Sequence, residues 1–264
     1  MDLFLYKLTI APALVAVATL AGRKWGDSAA GLVAGFPIVA GPILFFYGLE
    51  QGPVFASDAA LATLLGIFSL SLFVLAYTWR AWSGGTPLSA VLIGWVAFAF
   101  CTMLINRILN GQAVGVLHVT LAKALGWALL SLFLAVRSLP PAAELPPRGL
   151  PSHWDLPLRM GAAALLVSGL TYFAQALGPK LGGLLTPFPV ASTVLAVFAH
   201  RQGGSEAARA VLKGMLLALN AFAAFCAVLV FALPRTGLIE SFALGLAAAL
   251  VVQAALVGLR RLKR

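Results

Sequence analysis

The chain has 264 residues, of which 61% are hydrophobic and 10% charged, and its mean hydropathy is +1.00. A soluble domain carries about 25% charged and 45–50% apolar residues. The apolar excess recurs here in blocks of roughly 20 residues along the whole chain, which excludes a soluble enzyme, a disordered chain and a secreted disulfide scaffold, and predicts an all-α polytopic membrane protein.

In chain order, nine transmembrane helices are expected, near residues 5–22, 28–49, 58–79, 86–106, 113–136, 158–177, 181–200, 206–233 and 237–259, each close to the ~20 residues that cross a bilayer. The first block lacks the multiply charged start of a signal peptide and reads as a span. The second and seventh contain both Pro and Gly. Cys101 and Cys226 fall inside apolar blocks and read as small buried hydrophobes. Between the fifth and sixth spans, Pro140, Pro141, Pro146, Pro147, Pro151 and Pro157 make an extended linker.

An odd span count puts the termini on opposite sides. With the basic tail Arg260, Arg261, Lys263 and Arg264 in the cytoplasm, that side also collects Arg23, Lys24, Arg80, Arg137, Arg148, Arg159, Arg201, Arg209 and Lys213. The outer side collects only Lys7, Arg107, Lys180 and Arg235. The net charge of +10 is thus a topology signal, and no nucleic-acid partner is expected. The expected location is a bacterial cytoplasmic membrane, N-terminus outside and C-terminus cytoplasmic.

The sequence compares with itself. GLVAGFPIVAGPILFFYGLEQG from Gly31 matches GLLTPFPVASTVLAVFAHRQGG from Gly183 at Gly31/Gly183, Leu32/Leu184, Phe36/Phe188, Pro37/Pro189, Phe46/Phe198 and Gly52/Gly204. After a short offset, SDAALATLLG from Ser57 matches SEAARAVLKG from Ser205. The unit is a run of four spans, residues 1–110 and 158–264, joined by a fifth span and the linker over 111–157. Equivalent helices are five spans apart, so the copies are expected to lie upside down relative to each other, a 4+1+4 inverted repeat of the kind that secondary transporters use.

Within the copies, Phe36-Pro37 and Phe188-Pro189 each fall near mid-bilayer by helix rise. A proline inside a helix frees the carbonyl four residues earlier, here those of Val33 and Leu185, and in lipid such a group needs a partner. Thr186, Ser192 and Thr193 add hydroxyls beside the second break. Ser57-Asp58 and Ser205-Glu206 each open a span and read as helix caps. All eight Asp and Glu fall at span edges or in loops, which speaks against a buried carboxylate relay. Lys123 is expected deep in the fifth span, where it would pair with an anion or snorkel to the interface. The expected substrate-binding set is Phe36, Pro37, Lys123, Thr186, Phe188, Pro189, Ser192 and Thr193. No catalytic set, metal-ligand spacing or cofactor fingerprint appears, and neither enzymatic activity nor a cofactor is expected.

Gly31-Leu32 with Phe36-Pro37, and Gly183-Leu184 with Pro187-Phe188-Pro189 followed by Gly204-Ser205-Glu206-Ala207, resemble the small four-span GlpM-type membrane proteins. The second copy is the closer match; the first departs at Gly35 and at Gly52-Pro53. The resemblance covers most of the chain outside the fifth span and linker. It implies a fused, inverted pair of four-span units, similar in logic to the drug/metabolite transporter superfamily. Two function classes follow from the sequence. One is a transporter of a small metabolite or amphiphile, whose partners are the bilayer, the substrate and, as an open option, a second copy of the chain. The other is a non-transporting scaffold or accessory subunit of an envelope-biogenesis complex. A polar cavity between the copies, open to one side, favours the first. A dry contact filled by Phe45, Phe46 and Phe198 favours the second.

Overall fold

Residues 2–37, 40–110, 120–141, 154–177 and 188–262 are described by a computed structural model, and every regular element among them is helical: α1 (Asp2–Trp25), α2 (Asp27–Ala34), α3 (Ala40–Gln51), α4 (Pro53–Trp82), α5 (Pro87–Asn110), α6 (Leu121–Arg137), α7 (Asp155–Leu177), α8 (Val190–Ala232) and α9 (Leu238–Leu262). Helices hold every backbone polar group within the segment, which a hydrocarbon solvent demands. Among the described residues, four stretches are long and apolar enough to cross a membrane: Pro53–Trp82, Pro87–Ile108, Val190–Ala232 and Leu238–Gly258. Outward faces carry large apolar side chains, among them Val96, Phe100, Met103, Phe133, Leu165 and Val251. So much exposed hydrocarbon suits lipid and not water, and the chain is a membrane-embedded protein.

Glycines divide the helices. Gly52, between α3 and α4, has φ 90° and ψ 166°. Gly204, inside α8, has φ 69° and ψ −168° and kinks that element into arms over 190–202 and 205–232. These are the two glycines that the self-comparison aligns, and both occupy a backbone region that L-residues with a Cβ avoid. The second expected span is also divided, into α2 and α3, by a turn at Gly35–Pro37.

The second arm of α8 is the hub. Its small residues let other helices approach closely: a Cβ on Gly214 would collide with the carbonyl oxygen of Ser28 in α2, and one on Gly31 would strike the Val211 carbonyl and lie 2.7 Å from the Met215 nitrogen. Gly35 meets Ala218 in the same way. This is small-residue packing, in which backbones replace side chains at the contact. One core joins Leu64, Phe73 and Tyr77 of α4, Phe98 of α5 and Leu132 of α6 with Leu212, Met215 and Phe225 of α8. A smaller one joins Val15 and Ala18 of α1, Ala30 of α2, Ala163 of α7 and Val194, Leu195 and Val211 of α8.

Contacts fix directions. Ser57, near the start of α4, donates to the Val230 carbonyl near the end of α8 at 3.1 Å. Tyr77, near the end of α4, meets His200 just before the α8 kink at 3.3 Å. So α4 and the second arm of α8 run antiparallel. In contrast, α2 and α3 run along that arm in the same direction, from Ser28 beside Gly214 to Gly41 beside Phe225.

Ser57 departs from the expected cap. The helix begins at Pro53 with Gly52 as its N-cap, which leaves the hydroxyl one turn inside and turned to Val230. Proline at the first helical position has no amide to waste, and this moves the start four residues upstream.

Candidate functional site

One end of the bundle collects the charged helix ends. The end of α1 supplies Arg23, the start of α7 supplies Asp155 and Arg159, and the first arm of α8 ends at Gln202. Arg23 Nη2 donates to Asp155 Oδ2 at 3.0 Å, Arg159 Nε donates to Asp155 Oδ1 at 2.9 Å, and Gln202 Nε2 donates to the same oxygen at 2.6 Å. Arg159 Nη2 closes the network on Gln202 Oε1 at 3.1 Å, and its guanidinium lies 4.7 Å from the centre of the Phe198 ring. Also at this end, Trp79 Nε1 donates to the Ser138 carbonyl at 2.8 Å and Arg209 Nε to the Pro140 carbonyl at 2.8 Å. The opposite end holds Ser57 with Val230 and Gly48 beside Leu238.

The network borders a cavity of about 300 Å³ lined by Thr19, Gly22, Arg23, Asp27 and Ala30 of α1 and α2, and by Asp155, Arg159, Leu195, Ala199, Gln202, Gly203, Ala207 and Val211 of α7 and α8. One wall thus comes from residues 19–30 and the other from residues 155–211. The Asp155 and Arg159 side chains are 4% and 8% exposed, while Arg23 is 36% exposed. Burial alone would raise the pKa of the Asp155 carboxyl; the hydrogen bonds and charge of Arg159, with those of Arg23 and Gln202, outweigh it and hold the carboxyl below the ordinary carboxylate range. Asp155 is therefore an ionised, buried anion shared by two guanidiniums.

At the other end aromatic rings pack together. Phe45 of α3 packs edge-on against Phe242 of α9 at 5.1 Å between ring centres, and Phe242 packs on Phe225 of α8 at 5.8 Å. Phe46 completes the stack on Phe45 at 6.3 Å. Such pairs add to area burial.

The residues expected to bind substrate are placed as follows. Phe36 and Phe188 both pack, partly buried, against the main core. Phe188 lies between Trp95 and Phe98 at 5.8 and 5.4 Å. Pro37 is buried in the turn between α2 and α3. The Val33 carbonyl, expected to be freed by Pro37, accepts from the Phe36 amide at 3.2 Å, because a tight turn supplies the donor that the helix lost. Pro189 is the N-cap of α8 rather than a break inside a helix. Ser192 and Thr193 are buried, and Thr193 Oγ1 accepts from Trp95 Nε1 at 3.1 Å. Thr186, Pro187 and Leu185 lie outside the described residues. Lys123 departs from expectation: α6 begins at Leu121 with Thr120 as N-cap, so Lys123 is on the first turn, and it is exposed. None of the described residues of this set lines the charged cavity.

Sequence reasoning missed Asp155, Arg159 and Gln202. Asp155 looked like a loop acid beside a proline-rich linker, and Arg159 like a topology marker. The spacing Asp155–Arg159, one helical turn, was the available signal. No family model, no curated protein and no solved structure matches the chain.

Proposed function

We propose that the protein is a secondary membrane transporter of a small metabolite or amphiphile, working by alternating access between two inverted four-span repeats with the fifth span between them. The observation that carries this reading is the cavity with its charged end, one wall from residues 19–30 and the other from residues 155–211. A scaffold has no use for a buried, charged hollow between its halves, whereas a rocking-bundle transporter needs one that is open at one end and sealed at the other. The seal is the Phe45–Phe242–Phe225 stack. The antiparallel course of α4 against the second arm of α8 and the shared positive-φ glycines support the inverted relation, and with it the nine-span count and the GlpM-like duplication.

On this reading the cavity faces the cytoplasm, because Arg23, Arg159 and Arg209 gather at its end. The membrane is the bacterial cytoplasmic one, with the C-terminus inside. Of the expected set, Phe188 and Thr193 pack against α5; the substrate is held instead by Arg23, Asp155, Arg159 and Gln202.

A second reading is favoured by the aromatic stack alone: a scaffold whose halves meet in a dry contact. Cysteine accessibility separates the two. With Cys101 and Cys226 replaced by Ala, single cysteines at Ala199 in the cavity and at Leu44 behind the aromatic seal are labelled with a membrane-impermeant maleimide in vesicles of each orientation. The transporter reading predicts Ala199→Cys labelled from the cavity side and Leu44→Cys labelled slowly from the other. Complete protection of Leu44→Cys from both sides under every condition favours the scaffold.

A further inference from the structure

We propose that the cavity takes the oxyanion head, a carboxylate or phosphate monoester, of a single-chain amphiphile, and that the head binds by drawing Arg23 away from Asp155. This rests on the transport reading only for what the ligand is used for; the binding stands on the site itself.

Charge comes first. Two guanidiniums converge on the Asp155 carboxylate, and the second acid on the wall, Asp27, opens α2 and acts on Arg159 from that side, so the wall is balanced in charge and an anion enters only by taking Arg23 from Asp155. The two arginines are not equivalent. Arg159 is fixed by Asp155, by Gln202 and by the Phe198 ring, so its fork has one orientation. Arg23 has a single bond to Oδ2 in this network and is 36% exposed. It is the partner that an incoming anion can recruit, because a half-exposed pair is weak and a long side chain reorients readily. A guanidinium fork matches a carboxylate or phosphate in plane and spacing.

The remaining wall suits an apolar body: Ala30, Leu195, Ala199, Ala207 and Val211 carry no side-chain polar group. About 300 Å³ is at the small end of ligand sites, enough for one short chain and too little for a two-chain lipid. The bridge drawn apart by the ligand also matters mechanically. Arg23 belongs to the first copy and Asp155, at the end of the linker, opens the helix that leads into the second, so binding loosens a tie between the two at the open end.

Thermal unfolding of the full chain in phosphatidylcholine nanodiscs tests this. Octanoate and octyl phosphate are titrated against octanol and octyltrimethylammonium, which keep the body and change the head. Both oxyanions are expected to raise the midpoint saturably, and the two controls are not. Arg159→Gln and Arg23→Gln are expected to weaken the apparent affinity about tenfold or more, the usual loss for a charge-assisted hydrogen bond, and Arg23→Lys to recover part of it. If Arg159→Gln fails to fold, the Arg23 pair decides. In phosphatidylglycerol nanodiscs the octanoate response is expected to persist. Its loss there would assign the site to a lipid headgroup and overturn the proposal, as would an equal response to octanol or unchanged affinity in the Arg23→Gln variant. Oxyanion binding in a protein whose Leu44→Cys is never labelled would retain the site and remove the transport reading.

Discussion

Gly31 and Val211 meet backbone to backbone: a Cβ on Gly31 would collide with the Val211 carbonyl oxygen. The crossing of α2 over α8 therefore has no room for a side chain at this contact.

Gly31→Ala and Gly214→Ala should each destabilise the protein by about 1–3 kcal/mol or more, the cost of overpacking a tight contact. Gly126→Ala is the control. Gly126 lies inside α6 with nothing within 4 Å of its Cβ position, so alanine there should be neutral or stabilising by up to about 1 kcal/mol from helix propensity. Thermal unfolding of the three variants in one detergent checks the order.

Gly52 and Gly204 fail for a different reason. Neither has a neighbour within 4 Å of its Cβ position, yet alanine at either must adopt positive φ with ψ near 180°, at about 1–3 kcal/mol. Similar losses at both positions in thermal unfolding are expected. A neutral Gly204→Ala would show that the kink relaxes.

Asp155→Asn should cost about 3–5 kcal/mol, because it leaves the buried Arg159 charge without its partner. Arg23→Gln should cost about 0–1 kcal/mol, since its bond is half-exposed. The pH dependence has a defined sign. The folded carboxyl titrates below its ordinary 3.8, so the native state binds this proton more weakly than the unfolded chain. The contribution is full above 3.8 and disappears as pH falls through the lower folded value. The stability gap between wild type and Asp155→Asn should be flat from neutral pH down to about 3.8 and narrow below it, as pH falls toward the folded value.

Trp95→Phe keeps the ring beside Phe188 and removes the donor to Thr193 Oγ1. It should cost about 1 kcal/mol in unfolding free energy. Trp95→Phe combined with Thr193→Val should cost less than the sum of the two single changes, since neither group is then left unpaired.

The architecture was legible where backbone geometry writes itself into residue type. Gly52 and Gly204 aligned in the sequence because both must hold positive φ, and Gly35-Phe36-Pro37 marked a real division of a helix. Basic residues assigned to one side by charge counting, Arg23, Arg159 and Arg209 among them, do gather at one end. The site was not legible. Asp155 follows a proline-rich stretch, and its burial depends on α1 and α8 residues 132 and 47 positions away, which no local pattern reports. Lys123 misled because hydropathy cannot see that α6 starts at Leu121, capped by Thr120. Ser57 misled because Pro53, four residues earlier, is a better first residue for a helix than serine is a cap.

The central claim, that the two copies rock about the cavity between them, is tested most directly by paired distance measurements. Spin labels at the exposed Trp25 and Arg201 report the cavity end, and labels at the exposed Leu49 and Ile239 report the sealed end. In nanodiscs, double electron–electron resonance should give two populations at each end, and any condition that shortens the Trp25–Arg201 distance should lengthen the Leu49–Ile239 distance. A single unchanging distance at both ends, with and without octanoate, would contradict it.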